Sequence, residues 1–266
     1  MTDVLLALDI DWAPDYAIDL AATELARCGV RATWFVTHAS AAVDRLRGRP
    51  DLFVLGIHPN FLANSTHGAS PADVLAHCMQ LVPDARSVRT HSLVQSTPLL
   101  GAILAQTPIV IDGSLFLPGA AWLRPVEYRS AGKTLLRLPF YWEDDVEMQQ
   151  PTSHWRLNAL LGVEPGLKVF AFHPLHVFLN SDAVVRYEAL KGRHSKISEL
   201  SESEAARLVR PGPGAGTLFT EILEFMADRG GGLRFQDVLR RWTTLHLGDD
   251  NRSTAAVLAE LLTEPA

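Results

Sequence analysis

The chain has 266 residues, of which 47% are hydrophobic and 20% charged, so it can bury a sizeable core as one α/β domain or two small ones. Its formal net charge of −6 argues against nucleic acid or an anionic membrane surface as the main partner. No uncharged run approaches the roughly 20 residues of a spanning helix. Two cysteines make no disulfide framework, and the first residues lack the basic region of a signal peptide, so we expect a reduced, cytoplasmic protein. No pattern indicates the oligomeric state.

An apolar run that ends in two acids opens the chain at residues 5–11. If residues 4–10 form a strand, side chains two apart share a face, so Asp9 and Asp11 are predicted to point the same way. Pro14 favours a turn or the first turn of a helix, which puts both acids near the carboxyl end of the strand. Such a pair could serve as a metal ligand beside a general base, or only as a helix cap.

The rest of the chain alternates between apolar strand-like runs and helical patterns. This alternation indicates βαβ units and a mostly parallel sheet. About seven such units without a glycine-rich phosphate loop favour a distorted (β/α) barrel over an open dinucleotide-binding sheet. We expect a single domain over 1–266, with an active-site cover or mobile loop at 174–200 and a peripheral C-terminal helix at 258–262. The predicted strands after the first are 31–37, 52–57, 87–88, 108–111, 135–140, 167–172 and 233–236.

Several of these apolar runs finish in residues that bind metals or move protons. The carboxyl ends of parallel strands share one face of a sheet, so the side chains that follow them are expected to form one site. Any one of these histidines taken alone is more often structural or a helix cap than catalytic. The residues concerned are Asp9, Asp11, His58, Arg89, His91, His173 and His176.

The residue types at these strand ends suit metal-assisted hydrolysis. One carboxylate and two imidazoles leave coordination positions open for water and a substrate oxygen, which suits zinc or another divalent first-row ion. Such an ion polarises a carbonyl and lowers the pKa of water, which leaves a second carboxylate free to accept the proton. A further histidine could protonate a departing amine, and an arginine beside the base would hold it ionised and oriented.

The order of these motifs resembles the polysaccharide deacetylase family (NodB homology, carbohydrate esterase family 4), in particular its divergent WbmS-like branch, over residues 3–240. Residues 8–11 are similar to its first motif, where the first acid, here Asp9, is the base and the second, Asp11, a metal ligand. Ile10 separates the two acids, which are adjacent in most of the family. Residues 32–36 resemble its Ala-Thr-Phe-Phe-Val strand. The resemblance implies a distorted (β/α) barrel of the glycoside hydrolase/deacetylase type and a divalent metal, with zinc the first choice.

The second motif departs from the family pattern. Residues 56–58 match its lead-in, which makes His58 the first metal histidine, but the usual second histidine would fall at Leu62, which cannot ligate. Two candidates remain for that ligand. His67 lies in the loop before the predicted helix at Ser70, and His91 lies close to Arg89 at the place of the third motif. We prefer His67 as the metal ligand, with His91 among the catalytic residues, and the reverse assignment stays open.

The later motifs imply a catalytic acid and substrate contacts. Residues 139–145 stand in the place of the fourth motif, which makes Trp142 a candidate substrate contact and leaves the roles of its three acids open. Residues 170–174 resemble the fifth motif, an apolar strand that ends in the catalytic acid, here His173. His176 could contact substrate or anchor the cover loop, and Trp12 could form the floor of a sugar pocket, although packing is the commoner use of tryptophan.

The function implied by the resemblance is metal-dependent hydrolysis of a carbon–nitrogen bond other than a peptide bond. An acyl group, N-acetyl in the first instance, would leave a sugar or sugar precursor, in surface polysaccharide biosynthesis. Two alternatives remain: hydrolysis of a formamide or cyclic amide on the same fold, and a catalytically silent carbohydrate-binding protein. The expected site comprises Asp9, Arg89, His91 and His173 for catalysis, Asp11, His58 and His67 for the metal, and Trp12, Trp142 and His176 for the substrate.

Overall fold

The computed structural model describes residues 2–162, 165–194 and 196–246, and within these ranges it contains one nine-stranded sheet. The helix expected at 258–262 lies outside the described residues. In chain order the strands are β1 (Thr2–Asp9), β2 (Ala32–Val36), β3 (Phe53–Ile57), β4 (Ser87–Val88), β5 (Ile111–Asp112), β6 (Val126–Ser130), β7 (Lys133–Arg137), β8 (Trp142–Glu143) and β9 (Gly166–Phe172).

The sheet curls into a half-barrel with the strand order β6-β7-β5-β4-β3-β2-β1-β9-β8. Eight strands run parallel, and β6 alone runs antiparallel, in a hairpin with β7. The predicted distorted (β/α) barrel is confirmed as a fold type, although the described strands outnumber the seven or so expected. The strand expected at 233–236 is wrong, because a helix begins there at Phe235.

Helices connect the strands and cover the sheet. The cap of the third helix shows how local sequence fixes a boundary: Ser70 and Asp73 form a reciprocal capping box, and Pro71 occupies the first turn, where its missing N–H costs nothing. The stretch 174–200, expected as a cover or mobile loop, is partly helical. The helices are α1 (Asp15–Arg27), α2 (Ala41–Arg47), α3 (Pro71–Leu81), α4 (Thr97–Gln106), α5 (Asp144–Glu147), α6 (Leu157–Leu160), α7 (Pro174–Leu179), α8 (Val184–Lys191), α9 (Glu202–Ala206), α10 (Ala215–Ala227) and α11 (Phe235–His246).

The central strands are buried on both faces, which explains their nearly continuous apolar sequences. Every residue of β2 is buried, and Leu5, Leu6 and Leu8 of β1 are 0% exposed. Because both faces of these strands are shielded from water, no polar alternation is needed in them. Each such leucine stabilises the fold by about 1.5–3 kcal/mol relative to exposure. The core therefore fixes the strands whose ends carry the polar residues.

Neither cysteine of the chain forms a disulfide bond. The Cys78 thiol is buried, and the Cys28 thiol is half-buried. Within the described ranges, the helices are too short or too polar to span a bilayer.

Candidate active site

The turn after β1 places Asp11. The strand ends at Asp9, and both Asp11 and Trp12 have positive φ angles, of 36° and 55°. A left-handed backbone at a non-glycine residue costs about 1–2 kcal/mol, so the surrounding structure must hold this turn in place. The prediction that Asp9 and Asp11 share one face of the same strand is therefore wrong, because Asp11 lies in the turn after the strand. Both still reach the same cleft, because the turn carries Asp11 back over the strand end.

The carboxyl ends of five strands converge on a single cleft. Asp9 ends β1, His58 follows β3, Arg89 follows β4, Glu143 ends β8 and His173 follows β9. Parallel strands bring these positions to one rim of the sheet. The cleft has a volume of about 50 Å³ and is lined by Asp9, Asp11, His58, Arg89, Thr90, His91, Ser92, Leu93, Glu143, Asp145 and His173.

Asp11 lies at the centre of a cluster of imidazoles. Its Oδ1 is 3.1 Å from His58 Nε2 and 3.2 Å from His91 Nδ1, and its Oδ2 is 3.5 Å from His173 Nε2. Burial raises the pKa of Asp11, but the hydrogen bonds from His58 and His91 outweigh burial and hold this pKa well below its usual value. Burial lowers the pKa of His91, but Asp11 outweighs that effect and raises it. His58 Nδ1 is buried and has no hydrogen-bond partner among the described residues.

Arg89 holds two carboxylates in the buried wall of the cleft. It is 0% exposed, with Nε 2.6 Å from Asp9 Oδ2 and Nη2 3.1 Å from Glu143 Oε1. Nη1 donates to the Gly113 carbonyl, and the guanidinium lies 3.8 Å from the centre of the Phe140 ring. Burial raises the pKa of Glu143, and Arg89 only partly offsets this. Asp9 Oδ1 is buried without a hydrogen-bond partner in the described part of the chain, so it is free to accept a proton.

His173 is oriented by Asp144, a residue whose role the sequence left open. The His173 backbone N–H donates to Asp144 Oδ2 at 2.8 Å, and Nδ1 lies 2.6 Å from Asp144 Oδ1. These contacts indicate that Nδ1 carries a proton, which it donates to the Asp144 carboxylate. The other ring nitrogen, Nε2, then faces the cleft. Burial lowers the pKa of His173, but the carboxylates of Asp145, Asp144 and Asp11 outweigh burial and raise it well above its usual value. In the sequence, the run of three acids at 143–145 was the feature that could have indicated a carboxylate partner for His173.

His67 lies outside the Asp11 cluster, which corrects our preference between the two candidate histidines. Its Nε2 donates to the Thr37 carbonyl at 2.9 Å, and its Nδ1 accepts from the Asn60 backbone N–H at 3.1 Å. Both ring nitrogens therefore form hydrogen bonds with the backbone of neighbouring loops, which leaves neither of them as a metal ligand. Asp11, His58 and His91 form one of three groups among the described residues whose potential ligand atoms lie within 4.8 Å of one another, and His67 belongs to none of them. The other two groups are Asp145, His173 and His176, and Asp9, Glu143 and His173.

The buried His67 is expected to make stability depend on pH. Burial, together with His77, lowers the pKa of His67 to about 4. Because the unfolded chain takes up this proton near pH 6.5, stability is fully present above that pH and is lost as pH falls toward about 4. We expect a loss of up to about 3 kcal/mol, measurable by urea unfolding across this range. His67→Gln should make the free energy of unfolding less dependent on pH in this range, whereas His154→Gln, at an exposed position, should leave the dependence unchanged. Equal profiles for both variants would contradict this role.

None of the three expected substrate contacts lines the cleft, and two of them, Trp142 and His176, are buried. Trp142 is 5% exposed, packs against Trp155, and donates its indole N–H to Glu147 at 2.7 Å, so it is a core residue. His176 is 2% exposed and lies behind Asp145, with Nε2 2.9 Å from Asp145 Oδ1. Its expected contact with substrate is corrected to a contact with Asp145, which does line the cleft.

Trp12 lies beside the Asp11 cluster rather than in the cleft. Its ring centroid is 5.3 Å from that of His91 and 5.5 Å from that of His67. The indole therefore separates the two histidines that the sequence left as alternatives. This position supports the orientation of His91 and leaves a contact with sugar as a prediction.

A parallel half-barrel with its charged groups gathered at the strand ends has the architecture of an α/β enzyme, whose reaction takes place at that rim. A family model described as WbmS-like polysaccharide deacetylase matches residues 6–191, and the chain belongs to this family.

The solved structures similar to this one include the two that follow. The first, WbmS from Bordetella bronchiseptica, is provisionally described as a polysaccharide deacetylase involved in O-antigen biosynthesis. It aligns with a TM-score of 0.70 and 30% identity over 83% of this chain and 89% of that one. The second, a 4-α-glucanotransferase from Thermococcus litoralis, aligns with a TM-score of 0.52 and 10% identity over 91% of this chain and 38% of that one, and shows the fold alone. A search of curated protein sequences found no significant match.

Proposed function

We propose that this protein is a metal-dependent hydrolase that removes an acyl group, N-acetyl in the first instance, from a sugar or sugar precursor. The observation that carries the proposal is a single cleft that combines three groups: a cluster of candidate metal ligands around Asp11, a candidate base, and a candidate acid. The base is the Asp9 carboxylate, bound by Arg89, and the acid is the His173 imidazole, bound by Asp144. Deacylation agrees with the family, and the O-antigen role described for the Bordetella protein supports a step in surface polysaccharide biosynthesis.

The donor set of Asp11, His58 and His91 fits a divalent ion. One carboxylate and two imidazoles are a common ligand set for zinc, and they leave open positions for water and substrate. The Asp11 Oδ1 lies 3.1 and 3.2 Å from the two histidine nitrogens. Adjacent ligand atoms of a tetrahedral zinc with bonds near 2.05 Å would lie roughly 3.3 Å apart, which these two distances match, and the two imidazole nitrogens lie within 4.8 Å of each other.

Two residues carry out the two proton transfers of the proposed reaction, Asp9 as the base and His173 as the acid. When bound, the ion supplies Lewis-acid polarisation of the acyl carbonyl and lowers the pKa of water. Asp9 accepts the proton of the attacking water at Oδ1, while its Oδ2 stays bound to Arg89. His173, charged because its pKa is raised, donates the proton on Nε2 to the leaving amine, and Asp144 keeps the ring oriented.

Zinc binding is expected to depend on His91 and not on His67. His91→Ala removes one of three clustered ligands, so the affinity of metal-free protein for zinc should fall by about 100-fold or more. His67→Ala removes no ligand and should retain the affinity of the unmodified protein. Isothermal titration with zinc measures both, with circular dichroism to confirm folding. Loss of zinc in His67→Ala but not in His91→Ala would reverse the ligand assignment.

Acetate release tests the activity itself. We expect acetate from an N-acetylated sugar such as UDP-N-acetylglucosamine, loss of release after chelation, and recovery when zinc is returned. Asp9→Asn keeps the shape of the side chain but removes the base, and should lower kcat by about 10²–10⁴-fold. A protein that binds zinc and sugars yet releases no acyl group from any donor would instead be a carbohydrate-binding protein on this fold.

A further inference from the structure

A second cluster of potential metal ligands lies beside the one around Asp11. Asp145 belongs to α5, His173 immediately precedes α7, and His176 lies in the first turn of α7. A spacing of three residues puts both histidines on one side of that helix, with ring centroids 5.5 Å apart. One potential ligand atom from each of the three residues lies within 4.8 Å of the other two.

Asp145 connects the two imidazoles and opens the cluster to the cleft. Its Oδ1 is 2.9 Å from His176 Nε2, and its Oδ2 is 4.0 Å from His173 Nε2. The Asp145 side chain is 43% exposed and lines the cleft, so an ion reaches the cluster from solvent. Asp11 adds a further oxygen, because its Oδ2 is 3.5 Å from His173 Nε2 while its Oδ1 faces the first cluster.

Both imidazoles are held in the way that metal-binding histidines usually are. A histidine ligand normally donates its other ring N–H to an oxygen atom, which fixes the tautomer and the direction of the ring. His173 Nδ1 lies 2.6 Å from Asp144 Oδ1, and His176 Nδ1 lies 3.1 Å from Ser181 Oγ. With Nδ1 as the donor in each neutral ring, each Nε2 keeps the lone pair that a metal needs, on the side of Asp145.

The charge around His173 favours a cation here. Among the described residues, the ion pairs of Asp11, Asp144 and Asp145 are formed with histidines alone. When those rings are neutral, three carboxylates have no fixed positive charge beside them, and one divalent ion in the first cluster offsets only two of the three. The remaining group of potential ligands differs, because Arg89 already binds both of its carboxylates.

We propose that Asp145, His173 and His176 bind a second divalent ion, zinc in the first instance, and that this ion inhibits the reaction in the cleft. The inhibition rests on the proposed deacylation, whereas the binding does not. Two imidazoles and a carboxylate are the donor types of the first cluster too, so both clusters suit the same ion. An ion on His173 Nε2 occupies the lone pair that otherwise holds the proton for the leaving amine. One ion therefore supports hydrolysis, and the second stops it.

Zinc titration tests the site without reference to activity. Isothermal titration of the metal-free full chain should show two binding events, and His176→Gln should weaken the second by about 100-fold or more. His154→Gln makes the same substitution at an exposed position and should keep both events.

Asp145→Asn tests the same site at a side chain that is 43% exposed, so it does not depend on folding of the variant at buried His176. It should also lose the second event, whereas His91→Ala should lose the first and keep the second. A single event in the unmodified chain, or an unchanged second event in Asp145→Asn, would overturn the proposal.

Acetate release then tests the inhibition. One equivalent of zinc should activate the metal-free protein, and excess zinc should lower the rate about tenfold or more from that level. Each variant is compared with its own rate at one equivalent: His176→Gln should lose the inhibition, and His154→Gln should keep it. Equal inhibition in the two variants would overturn the inhibitory role. Two zinc-binding events without acetate release from any donor would uphold the second site and refute the deacylation.

Discussion

Replacing Arg89 by methionine is expected to lower the free energy of unfolding by about 3–5 kcal/mol, because it leaves two buried carboxylates without their cation. Asp9 is 2% exposed and Glu143 is 8% exposed, and both bind the same guanidinium. One of them must take up a proton in the folded variant, so its folded state binds more protons than its unfolded state. The loss should therefore shrink as the pH of urea unfolding is lowered from about 7 toward about 4.

A rescue experiment separates charge from packing in this variant. Adding Asp9→Asn and Glu143→Gln to Arg89→Met removes the orphaned charges and should recover much of the lost stability. The exposed pair of Arg45 and Asp19 provides the control, since Arg45→Met should cost at most about 1 kcal/mol. Failure of the rescue would show that contact with the Phe140 ring, and not charge balance, is the main contribution of Arg89.

Replacing His173 by glutamine is expected to lower kcat for an amide substrate by about 10²–10⁴-fold, because the leaving amine loses its proton donor. An amine leaves poorly without protonation, whereas a nitrophenolate leaves readily without it. Hydrolysis of p-nitrophenyl acetate should therefore fall much less in the same variant. The ratio of the two rates measures proton donation separately from damage to the site.

Asp144→Asn is the companion variant to His173→Gln. It keeps the imidazole but weakens the charge-assisted contact that sets its orientation, so it should show a smaller loss with the same preference for the activated ester. Equal losses on the amide and the ester in His173→Gln would contradict a role as proton donor. They would point instead to a structural contribution of the ring.

The strand-end pattern made the position of the site predictable. Asp9, His58, Arg89 and His173 each follow or end a strongly apolar run, and parallel strands must bring such positions to one rim. The pairing of Arg89 with Asp9 was predicted, because an arginine beside the base would hold it ionised and oriented. Its pairing with Glu143 was not, because β8 has only two residues and its neighbour β9 is more than twenty residues away in sequence.

The choice between His67 and His91 shows where local sequence stops being informative. Both histidines lie in loops, and no periodicity fixes the direction of a loop side chain. His67 lies close to His58 along the chain, which favoured it, but the loop returns its ring to Thr37 and Asn60. His91 reaches Asp11 although β3 and β2 lie between β4 and β1 in the sheet, because the sheet curls and the turn after β1 carries Asp11 into the cleft.

By itself, the sequence determined the fold type, the parallel sheet and the rim at which the charged residues gather. These follow from hydrophobic periodicity, which acts over a few residues, and from the geometry common to all parallel sheets. Only the tertiary structure decided which histidine joins Asp11, which acid orients His173, and that Trp142 is buried. It also decided that His176 joins Asp145 and His173 in a second cluster of potential ligands. Those outcomes depend on contacts between segments far apart in the chain, where burial and charge pairing are settled together and no local pattern records the result.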